Sequence, residues 1–223
     1  MLFESREHAA YLLAQRLSAY YKNKNPLVLA VPRGAVPMAK IIADFLGGEL
    51  DVTLVRKLGH PSQPELAVGA VDESGTVFLS DYAFGIDAAY LEEEKTGQLE
   101  VLRRRRAQYT PARSPIDPHD RIVIVVDDGV ATGSTMIAAL RAVHGKRPDK
   151  LVAAVAVASV QAARAIADEA DAIVCLSVPD EFYAVGQFFR EFPQVSDEEV
   201  ITILRQNKTK ISTAGNSSDK GEL

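Results

Sequence analysis

One stretch near the middle of the chain constrains the fold more than any other. Five consecutive β-branched residues at 122–126 are followed by Asp127 and Asp128, a loop of small residues and Ser134. An apolar run of this kind is typical of a strand buried on both faces. Apolar residues after Ser134 continue at helical spacing through Val143. The stretch therefore predicts a buried strand, a tight loop and a helix in direct succession.

The same stretch offers two kinds of ligand group. Unbonded N–H groups at a helix N-terminus, together with the helix dipole, favour an anion such as phosphate. Two adjacent carboxylates instead suit sugar hydroxyls or a hydrated Mg²⁺ beside that phosphate. A nucleotide P-loop requires Lys before its last Ser or Thr, whereas Gly133 directly precedes Ser134. The pattern predicts a sugar phosphate site, and the alternative is an ordinary strand-to-helix turn.

Bulk properties narrow the class of protein. The chain has 223 residues with 47% hydrophobic content, which is enough for one substantial core. A formal net charge of −5 argues against general nucleic-acid affinity. A single cysteine fits a reducing compartment, and no apolar run reaches membrane length. These properties predict a soluble, cytoplasmic protein with no membrane partner.

Strand and helix patterns alternate along the rest of the chain. Buried strands are predicted at 27–31, 51–55, 151–157 and 172–176, with helical patterns between them. This alternation predicts right-handed βαβ units and a mostly parallel sheet. Ligands of such sheets bind beyond the carboxyl ends of the strands.

Basic residues follow the first two predicted strands. Gly34 allows close approach of the backbone to a pyrophosphate, and Arg33 can bind its oxygens through two donors. Arg56 and Lys57 close the second strand and precede a Gly- and Pro-containing segment, 58–65, which is predicted to be a lid. The alternatives are a surface Arg beside a turn, and an exposed basic pair ahead of a hairpin whose return strand is 67–71.

Three parts of the chain resemble one known family. The segment VVDDGVATGST at 125–135 resembles the 5-phosphoribosyl-1-pyrophosphate (PRPP) motif of the type I phosphoribosyltransferases. The basic loops after strands one and two resemble its pyrophosphate loop, often built on a cis peptide, and the start of its mobile loop. The segment 179–186 resembles its hood pattern, Pro-x-x-Phe-x-x-Val-Gly. The resemblance covers about 25–60 and 120–190.

The resemblance implies an enzyme that transfers the phosphoribosyl group of PRPP to a nitrogen acceptor and releases pyrophosphate. Asp127 and Asp128 are then catalytic residues that hold the ribose hydroxyls and, through those hydroxyls or through water, Mg²⁺. Arg56 and Lys57 join them by neutralising the departing pyrophosphate. The implied PRPP-binding residues are Arg33, Gly34, Ala131, Thr132, Gly133, Ser134 and Thr135. The implied acceptor-binding residues are Phe182, Tyr183 and Val185, although this aromatic segment can equally be a cover for the sheet edge.

The acceptor remains open, as does one alternative function. Ala131 stands where the 6-oxopurine enzymes carry Asp, and 156–159 lacks the Lys that those enzymes place near the purine oxygen. The acceptor is therefore a purine, another nucleobase or a different nitrogen compound. The alternative is a non-catalytic PRPP-sensing regulator with an RNA or protein partner at Arg103–Arg106. The family's habit of dimerising implies a homodimer.

These inferences combine into one predicted architecture. The fold is α/β and Rossmann-like, with a mostly parallel central sheet flanked by helices, a small hood region and an inserted charged helix. A single phosphoribosyltransferase domain spans 1–206, with the hood at 177–192 and the inserted segment at 72–118. Within that insert, Asp87 is predicted to cap a solvated helix that ends near Tyr109. Ser5 is likewise predicted to cap the first helix of the chain, whose buried face is predicted to include Tyr20. Residues 207–223 are predicted to form a disordered tail.

Overall fold

The computed structural model describes residues 1–111 and 114–215, with side chains described up to residue 206 except at 64 and 65. The strands are β1 (Leu27–Ala30), β2 (Glu49–Val52), β3 (Val55–His60), β4 (Gln63–Asp72), β5 (Val77–Leu79), β6 (Ile122–Val130), β7 (Lys150–Ala158) and β8 (Ala172–Ser177). The α-helices are α1 (Arg6–Tyr21), α2 (Ala35–Leu46), α3 (Ala88–Tyr109), α4 (Ser134–His144), α5 (Val160–Ala167) and α6 (Asp197–Gly215).

The central sheet is parallel and has the strand order β2-β1-β6-β7-β8. The motif strand β6 lies in the middle, which explains why its apolar run has no polar side. Ala30, the last residue of β1, is aligned with Val126 of β6 and with Val52 of β2. Because the pairing is parallel, the loops after β1 and β6 leave the same edge of the sheet side by side.

Helices cover both faces of this sheet. Side chains of α1, α2, α3 and α6 pack with one face in the larger core cluster, and α4 and α5 pack on the other face. Ser5 caps α1 as its sequence suggests, accepting a hydrogen bond from the N–H of His8. The buried aromatic residue of α1 is Tyr21, however, and Tyr20 points to solvent. The α/β fold with a parallel sheet flanked by helices is confirmed.

A second, antiparallel sheet has the order β3-β4-β5 and corrects the prediction for strand two. The parallel strand ends at Val52, and Arg56 and Lys57 lie inside β3, opposite Val71 and Ala70 of β4. Since His60 is aligned with Gln63, the predicted loop at 58–65 is mostly paired hairpin. The hairpin packs against α3 and α4. No local sequence pattern predicts these contacts.

The long helix α3 begins after Asp87, whose side chain accepts from the N–H of Ala89, and both predicted ends are confirmed. The predicted solvated face is wrong for Arg106. Its guanidinium is 12% exposed and donates to Asp51, to Glu73 and to the carbonyl of Val52. Arg106 lies four residues after the buried Leu102 and so shares its face of the helix.

Two further boundaries differ from the sequence prediction. Strand β6 continues through the acidic pair to Val130, because β7 pairs with it as far as Ala158. Helix α6 continues to Gly215, so the part of the predicted tail that precedes residue 216 is helical. Residues 216–223 of that tail lie outside the described residues, as do residues 112 and 113 of the predicted inserted segment. Among the helices described, none is both long and apolar enough to cross a membrane.

Candidate functional site

The acidic pair lies at the end of β6, just beyond the point where β1 stops. Asp127 is aligned with Val155 of β7, and Gly129 with Val157. The backbone N–H of Asp128 donates to Oδ1 of Asp127 over 2.9 Å. Two adjacent carboxylates are therefore held by strand backbone at the carboxyl edge of the sheet, where α/β proteins bind ligands.

Asp128 has a partner that the sequence did not reveal. The Nε of Arg6 donates to Oδ2 of Asp128 over 2.7 Å, and the two side chains are only 12% and 13% exposed. Arg6 is the first residue of α1, far from every recognised motif. The one local signal nearby was the Ser5 cap, which fixes where the helix starts and says nothing about what Arg6 contacts.

Burial and mutual repulsion make the acidic pair costly to ionise. Burial raises the pKa of Asp127 well above its ordinary value, and the neighbouring charge of Asp128 raises it further. Burial also raises the pKa of Asp128, although the hydrogen bond and charge of Arg6 oppose that rise. A ligand that brings a cation or hydroxyl donors to this pair would relieve both effects.

The loop after β1 touches the acidic pair directly. The peptide bond between Pro32 and Arg33 is cis, as the family resemblance implies. A Cβ atom placed on Gly34 would lie 2.1 Å from Oδ2 of Asp128, so no larger residue fits while that carboxylate keeps its place. Arg33 points towards α6, with Nη1 at 3.5 Å from Oδ2 of Asp197.

Tyr109 holds the carboxylate that faces Arg33. Its hydroxyl donates to Oδ1 of Asp197 over 2.6 Å, and the tyrosine side chain is buried. Burial and the bond to Asp197 raise the pKa of Tyr109 to about 12. Asp197 thus contacts both the buried Tyr109 hydroxyl and the partly exposed Arg33. The contact with Arg33 is the weaker of the two, because it is longer and more exposed to solvent.

The loop between β6 and α4 presents backbone and hydroxyl groups to solvent. Gly133 adopts a positive φ of 86° and immediately precedes the first residue of α4. Ala131, Thr132 and Thr135 are exposed, and the hydroxyls of Thr132 and Ser134 are 3.2 Å apart. The hydroxyl of Ser159 donates to the carbonyl of Ala131 over 2.7 Å and braces the loop from β7. The strand, the loop and the helix therefore follow one another in direct succession, as predicted.

The structure does not bring Arg56 and Lys57 together. They alternate along β3, so their side chains leave opposite faces of the hairpin. Arg56 donates to Oε1 of Gln98 on α3. Lys57 is exposed and, together with Ser134, lines a cleft of about 270 Å³ between the hairpin and α4. Of the two, Lys57 is therefore on the side of the loop between β6 and α4.

The predicted hood lies over the end of β6. A Cβ atom on Gly129 would come within 2.3 Å of Cγ1 of Val185, so Val185 sits on the strand directly after the acidic pair. The ring of Phe182 packs against Phe188 with centroids 5.1 Å apart. Tyr183 is 83% exposed. Of the three predicted acceptor residues, Val185 is close to the acidic pair and Tyr183 is turned to solvent.

The donor set fits a metal ion only in part. Among the side chains that the structure describes, no group of three or more His, Cys, Asp or Glu is arranged to hold a metal ion. Mg²⁺ commonly binds through one or two carboxylates and takes its other ligands from water and substrate phosphates. Asp127 and Asp128 fit that pattern, with Oδ2 of Asp128 already bonded to Arg6.

Comparison with known proteins identifies a family whose sequence profile matches this chain. Residues 4–191 match the profile of the phosphoribosyl transferase domain. Proteins of two Mycobacterium tuberculosis strains, CDC 1551 and H37Rv, each named as a phosphoribosyl transferase, are 42% identical over 217 residues. That match covers 96% of this chain and 49% of each relative, so the chain spans about half the length of these curated proteins.

A solved structure is similar over almost its whole length. The crystal structure of TT1426 from Thermus thermophilus is 45% identical in sequence and superimposes with a TM-score of 0.85. The match covers 92% of this chain and 99% of that one. The agreement therefore extends over both sheets and the helices around them.

Proposed function

The chain belongs to the phosphoribosyl transferase family, and we propose that it transfers the 5-phosphoribosyl group of PRPP to a nitrogen acceptor with release of pyrophosphate. The observation that carries the proposal is the contact between Gly34 and the Asp128 carboxylate. It puts a basic loop, suited to pyrophosphate, against an acidic pair, suited to ribose hydroxyls. PRPP carries both groups on adjacent carbon atoms.

The acidic pair binds the sugar in this proposal. The Asp127 carboxylate accepts from the ribose hydroxyls, and Asp128, oriented by Arg6, accepts beside it. Mg²⁺, when bound at Asp127 and Asp128 directly or through water, supplies positive charge next to the pyrophosphate oxygens. The raised pKa values show that burial makes the ionised pair costly, and hydroxyl donors and a cation are the partners that stabilise the ionised form.

The loop 131–135 binds the 5-phosphate. The first N–H groups of a helix have no partner within it, and Gly133 at the start of α4 has no side chain to cap them. The hydroxyls of Thr132 and Ser134, already 3.2 Å apart, add donors to the same anion. Lys57, across the cleft from α4, brings positive charge to this side of the site.

The pyrophosphate is bound at the loop after β1. Arg33 is partly exposed, and its 3.5 Å contact with Asp197 can be exchanged for pyrophosphate oxygens at little cost. Arg56 reaches the same anion only if it leaves Gln98. We therefore assign charge neutralisation in the bound state to Arg33 first, then to Lys57, and to Arg56 only after the hairpin moves.

The acceptor enters beneath the hood. Val185 offers an apolar contact beside the acidic pair, and Phe182 and Tyr183 offer ring surface suited to a flat nitrogen base. Attack by the acceptor nitrogen forms the new bond to the anomeric carbon as the bond to pyrophosphate breaks. The chain's residues act by positioning the two reactants and by stabilising the separating charges.

The test is a screen of acceptors with PRPP, Mg²⁺ and detection of pyrophosphate. At least one nucleobase or amine is expected to release pyrophosphate, with no release when the acceptor is omitted. A chain that binds PRPP but turns over no acceptor in a broad panel would contradict transferase activity. The two variants to run beside the wild type are Asp127→Asn, which alters the site, and Asp149→Asn, which alters an exposed turn.

The alternative of a PRPP-sensing regulator gains no support from the Arg run. Arg106 is engaged with Asp51 and Glu73, so the run does not present four arginines to an RNA or protein partner. The homodimer and the cytoplasmic location stay predictions.

A further inference from the structure

We propose that Arg6 is a positioning residue of the phosphoribosyl site, holding the Asp128 carboxylate and the end of the hood in the arrangement that binds PRPP. The inference rests on the proposed function, and it adds a residue that neither the PRPP motif nor the basic loops contain. It also distinguishes the two acids, because a side chain distant in sequence orients Asp128, whereas Asp127 accepts from the backbone N–H of Asp128.

One guanidinium makes three contacts. Its Nε donates to Oδ2 of Asp128 over 2.7 Å, and its Nη1 donates to the carbonyl of Pro193 over 2.5 Å. Its Cζ lies 3.6 Å from the centroid of the Phe192 ring. These contacts join the start of α1, the end of β6 and the end of the hood with the residue after it, which are distant in sequence.

The surrounding backbone fixes Arg6 in this place. Phe3 pairs with Phe189 in a parallel bridge, with bonds from Phe3 N–H to the carbonyl of Phe188 and from Arg190 N–H to the carbonyl of Phe3. The N–H of Glu191 donates to the carbonyl of Glu4. The chain therefore enters α1 from the hood, and Arg6 follows with its side chain directed at Asp128.

Arg6 also faces the proposed pyrophosphate loop. A Cβ atom on Gly34 would lie 3.2 Å from Nη2 of Arg6 as well as 2.1 Å from Oδ2 of Asp128. Arg6, Asp128 and Gly34 therefore meet at one point, where the loops after β1 and β6 touch. A carboxylate fixed there before binding loses less freedom when PRPP arrives.

Arginine is the residue that this position requires. A planar guanidinium can donate from different nitrogens to Asp128 and Pro193 while its face lies on Phe192. The compact ammonium of lysine can reach Asp128 but cannot keep all three contacts. Lysine is therefore expected to restore the charge and only part of the positioning.

The experiment measures PRPP affinity by calorimetry with Mg²⁺, in a double-mutant cycle of Arg6→Gln and Asp128→Asn. Arg6→Gln is expected to weaken PRPP binding by about tenfold or more, as truncation of a buried charge pair does. Arg6→Lys is expected to recover part of that loss. If Arg6 acts through Asp128, then Arg6→Gln should change the dissociation constant by less than about twofold in the Asp128→Asn background.

The matched control breaks a neighbouring ion pair that is not expected to affect PRPP affinity. Arg190 and Glu4 also link the hood to the N-terminus, at 3.5 Å, and their side chains are 63% and 62% exposed. Arg190→Gln should leave PRPP affinity within about twofold of the wild type, since surface substitutions usually cost little.

The possible failures can be told apart. Wild-type affinity in Arg6→Gln, or equal losses with and without Asp128, overturns the role of Arg6 and leaves the proposed function standing. A wild-type protein that does not bind PRPP overturns the proposed function and this inference with it. If Arg6→Gln does not fold, Arg6→Lys decides, because unchanged affinity in that variant contradicts a positioning role.

Discussion

At the scale of single residues, the ionised acidic pair lowers the stability of the ligand-free protein. Asp127 and Asp128 are adjacent in sequence, lie at the end of a buried strand, and have raised pKa values because of burial. A group whose pKa is higher in the folded state favours folding most at low pH. That contribution is lost as the pH rises through the folded-state pKa.

Replacing Asp127 with Asn should therefore stabilise the ligand-free protein and weaken PRPP binding. The gain in stability should be small at pH 5 and larger at pH 8, because only the wild type must carry the buried charge at high pH. Urea unfolding at the two pH values measures the first effect, and calorimetry measures the second. Asp149→Asn, at an exposed turn, should change neither, and a gain for Asp127→Asn that shrinks with rising pH would contradict the account.

At the scale of elements, Arg106 determines how α3 is attached. It links α3 to the end of β2 through Asp51 and to the turn after β4 through Glu73. Burial lowers the pKa of Arg106, but the bond to Glu73 and the charges of Asp51 and Glu73 raise it by more, so the cation persists. Together with Tyr90, whose hydroxyl donates to the carbonyl of Gly59, it ties the helix to the hairpin and the parallel sheet.

Arg106→Met should destabilise the protein by about 3–5 kcal/mol, because the buried Asp51 and the partly buried Glu73 lose their shared cation. The matched control is Arg103→Met on the same helix. Arg103 is exposed, and its replacement should change the free energy of unfolding by less than about 0.5 kcal/mol. Urea denaturation compares the two variants, and similar values for both would show that the run is a solvated face after all.

At the scale of the whole molecule, the candidate site gathers segments from nearly the full length of the chain. Arg6 comes from α1, Gly34 from the loop after β1, Asp128 from β6, and Val185 from the hood. They meet because parallel pairing brings the loops after β1 and β6 to one edge, and because the N-terminus pairs with residues 188–191. A ligand at this edge would contact several elements that are distant from one another in sequence.

PRPP with Mg²⁺ should therefore raise the stability of the whole fold. At a PRPP concentration one hundred times its dissociation constant, the expected gain is about 2.7 kcal/mol. For a protein of this size, that corresponds to a rise in Tm of roughly 5–10 °C. Ribose 5-phosphate, which lacks pyrophosphate, should give a smaller rise at the same concentration. An unchanged Tm at saturating PRPP would show that the site does not bind it.

Local patterns predicted the central elements well. The β-branched run at 122–126 predicted β6, and the capping residues Ser5 and Asp87 predicted the starts of α1 and α3. Each of these features is visible in a few consecutive residues of the sequence. The hairpin was only partly anticipated. Val55 to His60 has weak strand character of its own, and it is stabilised by β4, α3 and α4, which are brought to it by tertiary packing.

The sequence by itself determined the alternation of strands and helices that makes the sheet parallel, the acidic pair after the central strand and the small loop before α4. Each of these is indicated by residues adjacent in the chain. The tertiary structure alone decided the partners. Arg56 bonds to Gln98, and Lys57 lines the cleft beside α4. Arg106 is held between Asp51 and Glu73, and Arg6 bonds to Asp128. Such pairings join residues far apart in sequence, and a charged side chain carries no local signal of whether it will meet water or a buried carboxylate.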